Sequence, residues 1–148
     1  MARILLIRHA EPEVEPDLPA TEWPLSPAGE QASRRVGHYL TDRGIGRMFS
    51  SHEQKAIRTA EIVAECLGLE NQIAPGLHEH DRTGVGYLES DAFQSAIRDL
   101  FARPSETVFG RESADAAVGR FSDALSKIEA DIPIDTSIAC ASHGTILR

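Results

Sequence analysis

Two apolar runs in this sequence end in a histidine. Arg3-Ile-Leu-Leu-Ile7 leads into Arg8-His9, and Ser137-Ile-Ala-Cys-Ala141 leads into Ser142-His143-Gly144. Open α/β sheets bind ligands outside the carboxyl ends of their strands, so two imidazoles at such ends can meet. An imidazole, with an ordinary pKa of about 6.5, can serve as a neutral nucleophile near pH 7. A second histidine and an arginine can neutralise a phosphoryl group in transfer, a reaction that asks mainly for positioning and charge stabilisation. Arg8, His9, Lys55, Arg58, Glu79 and His143 are residues able to supply those donors and one proton source. Either histidine alone is as well explained as a strand-end side chain hydrogen-bonded locally.

The elements that must position these residues alternate. Ile4 to Ile7 reads as a strand buried on both faces, hence a central one. Residues 10 to 25 carry Pro12, Pro16, Pro19 and Pro24 among acidic residues, which makes a loop. Ser26-Pro27 supplies an N-cap and a first-turn proline for a helix with Ala28, Ala32, Val36 and Leu40 as its stripe, stopped by Gly44. A strand over Ile45 to Ser50 and a helix over Ser51 to Leu67 follow, the helix facing inward with Ala56, Ala60, Val63 and Leu67. Gln72 to Leu77 offers a third strand. Helices are expected over Asp91 to Phe101 and Ser113 to Ala130, and a last strand at Ser137 to Ala141. Phe93, Phe101, Phe109 and Phe121 are expected in the core. The alternation argues one α/β domain over residues 1–148, with a mostly parallel central sheet. Because the chain stops at Arg148 soon after a strand that should lead into another helix, C-terminal elements are expected to be missing.

Composition narrows the setting. With 148 residues, 41% hydrophobic and 26% charged, the chain has the ordinary make-up of one globular domain, which excludes collagen, coiled coil and wholesale disorder. No apolar run approaches the ~20 residues that span a bilayer, and none has the flanks of a signal peptide. A net charge of −8 disfavours nucleic acid and anionic membrane as partners, so an anion must be caught locally. The basic residues are 13 Arg against 2 Lys, and guanidinium suits phosphate or carboxylate. Cys66 and Cys140 read as reduced, buried thiols, which points to the cytoplasm.

The run Leu6-Ile7-Arg8-His9-Ala10-Glu11 resembles the Arg-His-Gly-Glu signature of the histidine phosphatase superfamily, the phosphoglycerate mutase-like fold. Leu25-Ser26-Pro27-Ala28-Gly29-Glu30-Gln31-Ala32 is similar to that family's Leu-Thr-x-x-Gly-x-x-Gln-Ala helix start. Ser50-Ser51 with Ala56 and Thr59-Ala60, and then Ser142-His143-Gly144, resemble its next and last segments. Four motifs in order span nearly the whole chain. The resemblance implies a three-layer α/β/α sandwich and no metal or cofactor. It implies a phosphorylated small molecule or phosphoprotein as substrate, hydrolysed through a phosphohistidine on His9. Arg8, Lys55 and His143 would hold the phosphoryl oxygens, with Arg58 as a possible further ligand, and Glu79 would protonate the leaving oxygen. For that role Glu79 needs a raised pKa.

Three departures from the family pattern bear on the site. Ala10 stands where glycine is common, so the backbone there must do without easy positive φ. Lys55 stands where the family has a phosphate-binding arginine and lacks the bidentate fork. The loop after Glu11 lacks the asparagine many members place there. Gly110-Arg111-Glu112-Ser113 with Arg120 is faintly similar to a further family stretch, and the segment from His80 to Arg120 is expected to carry substrate choice. Two alternatives stay open beside the hydrolase: a mutase-type phosphotransferase and a non-catalytic phosphate-binding domain. His78-Glu79-His80 also admits a metal site, the weaker reading because no distant third ligand is evident. Gly44-Ile-Gly46 and Gly84-Val-Gly86 lack the context of a dinucleotide loop.

Overall fold

A computed structural model describes residues 3–148. The strands are β1 (Ile4–Arg8), β2 (Ile45–Ser50), β3 (Asn71–Ile73) and β4 (Ser137–Ser142), and the α-helices are α1 (Pro27–Leu40), α2 (Gln54–Leu67), α3 (Ser90–Ala102) and α4 (Ala114–Ala130). A 3-10 turn, Ala20–Glu22, lies in the proline-rich loop. Local chemistry sets the helix ends. The Ser26 hydroxyl accepts the Gly29 N–H at 3.0 Å with Pro27 in the first turn, Ser113 caps α4 through the Ala116 N–H at 3.1 Å, and Gly68 closes α2 at φ 67°.

The sheet has the order β1-β4-β2-β3 with every pair parallel. Arg8 pairs with Ser142 and Ser50 with Ala141, so the carboxyl ends of β1, β4 and β2 finish level with one another. One face carries α1 and α2, where Leu40, Met48, Ala60, Val63 and Ala64 pack on Ala139 and Ala141 of β4. The other face carries α4, where Phe121, Ala124 and Ile128 pack on Phe49, Ile138 and Cys140. The result is the expected α/β/α layering.

Several sequence expectations shift. The central strand is β4, buried along its whole length, while β1 lies at the sheet edge among the described residues, with Leu6 45% exposed. An apolar run marks a sheet strand but does not rank it in the sheet. The fully buried positions of α1 are Gly29, Ser33, Gly37 and Leu40; of the other expected positions Val36 packs half-buried against the core, Ala32 is half-buried and Ala28 is exposed. Close approach is the reason: a Cβ on Gly37 would lie 2.7 Å from the Cys66 Cβ, and one on Gly29 2.2 Å from the Glu11 carbonyl oxygen. β3 is shorter than expected. Of the four phenylalanines only Phe121 is in the core; Phe101 is exposed, and Phe93 and Phe109 line a buried arginine described below. Cys140 is buried, and burial pushes its thiol up to about 12, whereas Cys66 is half-buried. No helix among the described residues is long and apolar enough to cross a membrane.

Candidate active site

His9 follows β1 and His143 follows β4, and the parallel register brings their rings to 5.2 Å, edge to face. The His9 Nδ1 is 2.8 Å from the Ala10 carbonyl oxygen. A carbonyl only accepts, so Nδ1 carries the proton and Nε2 keeps its lone pair. Burial lowers the His9 pKa, with Lys55 and Arg8 adding to the effect against the Ala10 carbonyl, so the ring is neutral near pH 7. Ala10 is accommodated without strain, since no non-glycine residue among those described has positive φ. Its N–H donates to Thr59 Oγ1 at 3.1 Å, which ties this turn to α2.

His143 is wholly buried, with its Nε2 2.7 Å from Ser51 Oγ and its Nδ1 without a hydrogen-bond partner. Burial holds its pKa down to about 2, so it too is neutral. Arg8 lies along the backbone of Gly144, where a Cβ would meet its Nε at 2.9 Å; glycine is what admits the guanidinium. Arg8 forms no ion pair among the described residues, which leaves its fork of donors for a ligand.

The remaining charged groups come as two pairs. At the start of α2, Lys55 Nζ is 2.8 Å from Glu53 Oε2 and also donates to the Ala20 carbonyl of the proline-rich loop, which buries it. Two of its three donors are thereby used. Glu53 Oε1 accepts the Glu79 N–H at 3.0 Å and lies 3.4 Å from His143 Nε2. In the turn after Leu77, Glu79 accepts N–H donors from His80, Thr145 and Ile146, each at 2.9 Å, and Arg82 Nη2 stands 3.7 Å from its Oε2. Arg82 donates to Thr145 Oγ1 at 2.6 Å, with its guanidinium 4.9 Å from the Phe93 ring centre and 5.8 Å from that of Phe109.

Three observations bear on the residues weighed from the sequence. Burial alone would raise the Glu79 pKa, but the Arg82 charge and the Thr145 and His80 N–H groups outweigh it and hold the carboxyl below its ordinary value. The raised pKa that a proton donor needs is not a property of the resting pocket and would have to come with a bound phosphate dianion. Arg58 points to α1, where its Nε pairs with Glu30 Oε1 at 2.9 Å, with Glu61 at 3.6 Å; it is a helix-bridging arginine. His78, Glu79 and His80 do not converge: His78 packs on His52 at 5.0 Å, and His80 bonds the Glu112 carbonyl at 2.7 Å.

Glu53 and Arg82 were not singled out by the sequence. Glu53 stands at the N-cap position of α2 without a side-chain cap bond, so nothing local set it apart, and the only local signal for Arg82 is its spacing of three from Glu79. Glu112 and Arg120 brace the site rather than line it. Arg120 donates to the carbonyls of Gly76, His78 and Glu79 and pairs with Glu112 at 2.6 Å, and Glu112 accepts the Asp81 N–H. A hollow of about 320 Å³ between β3 and α4, including Phe49, Ile73 and Ile128, shares no residue with this site.

A parallel α/β/α sandwich with two histidines and an unpaired arginine at adjacent strand ends defines a class, and the family comparison names it. The model of the histidine phosphatase superfamily, branch 1, matches residues 4–148, and the chain belongs to that family. Among curated relatives it is 27% identical over 155 residues to "Probable phosphoglycerate mutase GpmB" of Photorhabdus laumondii, covering 99% of this chain and 72% of that protein. Among solved structures it is similar to a mycobacterial glucosyl-3-phosphoglycerate phosphatase, with TM-score 0.78, 18% identity, and 99% and 77% of the two chains covered. Bacillus stearothermophilus YhfR is equally similar in fold, with TM-score 0.78, 20% identity, and 97% and 75% covered.

Proposed function

We propose that this chain is a single-domain, metal-independent phosphatase that hydrolyses a phosphomonoester or a phosphohistidine through a phosphohistidine on His9. The observation that carries the reading is the fixed tautomer: the 2.8 Å bond from His9 Nδ1 to the Ala10 carbonyl leaves Nε2 as the nucleophile. In the first step the Nε2–P bond forms, the bond from phosphorus to the leaving oxygen breaks, and that oxygen takes a proton. In the second, water attacks phosphorus, inorganic phosphate leaves and the imidazole is restored. Arg8, Lys55 and His143 are the proposed ligands of the phosphoryl oxygens. Glu79 is the proposed donor to the leaving oxygen; being ionised at rest, it must first receive a proton. A phosphorylated small molecule suits the names of the mycobacterial neighbour and of a structural neighbour from Entamoeba histolytica, a phosphoserine phosphatase. Phosphoprotein is the other substrate class proposed, and the cytoplasm the proposed compartment.

The test is hydrolysis of an aryl phosphate by the wild type and by His9→Ala, with and without chelator, from pH 5 to 8. Wild-type turnover that survives chelator and falls by at least about a thousandfold in the variant supports the reading. Turnover that needs metal, or persists without His9, overturns it. The relative named as a mutase favours a second reading, transfer from His9 to a hydroxyl rather than to water. Label from a phosphorylated donor appearing on an added alcohol faster than in water would favour it.

A further inference from the structure

The two carboxylates of the site differ in what they can give up. Glu79 is held by three backbone N–H groups, none of them a cation that a ligand would recruit. Glu53 Oε2 depends on Lys55, and Lys55 is also the cation that a phosphoryl group would recruit. With His9 and His143 neutral, the site holds three cations, Arg8, Lys55 and Arg82, against two carboxylates, a formal charge of +1. A phosphomonoester near pH 7 brings close to two negative charges, its second pKa being about 6. When such a dianion draws Lys55 away, Oε2 is left unpaired, buried and facing like charge, the condition that most favours a carboxylic acid over a carboxylate.

Resting on the phosphatase reading above, we infer that Glu53 takes up one solvent proton as a phosphoryl dianion enters, and so stores inside the pocket the proton that the leaving oxygen requires. The balance closes over one turnover. A proton joins Glu53 when substrate binds, it passes by way of Glu79 to the leaving oxygen when the bond from phosphorus to that oxygen breaks, and Glu53 returns to a carboxylate with Lys55 beside it. The groups facing Glu53 are Lys55 on α2, His143 after β4, His9 after β1, and His78, Glu79 and Arg82 in the turn after Leu77. His143 is the competing acceptor for the proton, but it is wholly buried and its Nε2 already faces the Ser51 hydroxyl.

The test uses sulfate, a dianion that carries no proton of its own between pH 5 and 8. Calorimetric titration of the full chain in two buffers of different ionisation enthalpy reads the protons taken up per sulfate bound. The wild type is expected to take up close to one, with affinity falling about tenfold per pH unit across the neutral range. Glu53→Gln is expected to bind with no uptake and a flat profile, while Glu53→Asp and Glu79→Gln keep the uptake. Uptake that persists in Glu53→Gln, or is absent in the wild type, overturns the inference and leaves the phosphatase reading standing. No sulfate binding at all in the wild type overturns both. Should Glu53→Gln not fold, loss of uptake in Glu79→Gln overturns the inference, and its retention there together with Glu53→Asp supports it.

Discussion

The start of α2 and the turn after Leu77 approach His143 from two sides, and each offers a buried carboxylate with a cation beside it. They are built from different materials. Glu53 depends on side chains, Lys55 above all, plus the single N–H of Glu79. Glu79 depends on the backbone, three N–H groups aimed at its two oxygens, with Arg82 a further 3.7 Å away. A carboxylate caged by backbone gives up its charge less readily as an anion enters; one caged by a single lysine keeps its charge only while the lysine stays. The same pair of residue types thus yields a firmly held charge on one side and an easily neutralised one on the other.

Removing the cation from each pair breaks the comparison most directly. Lys55→Met leaves Glu53 buried and nearly unpaired, and should cost about 3–5 kcal/mol of unfolding free energy. Arg82→Met leaves Glu79 with its three N–H donors and should cost less, about 1–3 kcal/mol, much of it lost packing against Phe93 and Phe109. Denaturant titration of both variants decides; the reverse order would mean that the backbone cage does not hold Glu79.

A smaller effect concerns the histidine between the two pairs. His143 has a folded pKa far below its unfolded value near 6.5, so the unfolded state binds more protons below that pH. Its contribution to stability is complete above about pH 6.5 and is lost as pH falls toward the folded value of about 2. The slope approaches about 1.4 kcal/mol per pH unit. Between pH 6.5 and 4.5, before the carboxylates join in, His143→Gln should show a shallower loss than the wild type by about that slope. Equal slopes would mean that His143 is protonated in the fold.

The smallest effect is expected at Arg58. Its pairs with Glu30 and Glu61 are nearly half exposed, so Arg58→Ala should change stability by no more than about 1 kcal/mol and leave aryl phosphate hydrolysis unaltered. A large rise in KM would restore Arg58 to the phosphate site.

What the sequence made legible follows the range of the interactions. The pairing of His9 with His143 could be read because an apolar run that stops in polar residues marks a strand end, and parallel topology collects such ends on one side. Helix boundaries at Pro27 and Leu67 came from caps one residue away, Ser26 and Gly68. Glu53 with Lys55 was half legible: the lysine stood at a motif position, while its partner two residues earlier looked like an ordinary helix-start acid. Arg82 was missed although Glu79 stands three residues before it, because its other partners, Thr145, Phe93 and Phe109, come from three other segments. The rank of β1 was misread for a related reason. Four apolar residues in a row state that a strand is sheltered, and β4, with its smaller Ala139 and Ala141, is the one placed at the centre.

That edge position has a consequence for handling the molecule. Among the described residues, one row of amide and carbonyl groups along β1 meets β4 and the opposite row meets no strand, and Leu6 stands beside it. Such a border is a template on which another extended chain can crystallise strand by strand, and natural sheets blunt it with charge or cover. Here the flanking charges are Arg3 and Arg8, both cationic on a chain that is acidic overall. Colloidal stability should therefore depend on ionic strength: salt that screens mutual repulsion between molecules would expose this seam, and turbidity would grow from the first strand inward.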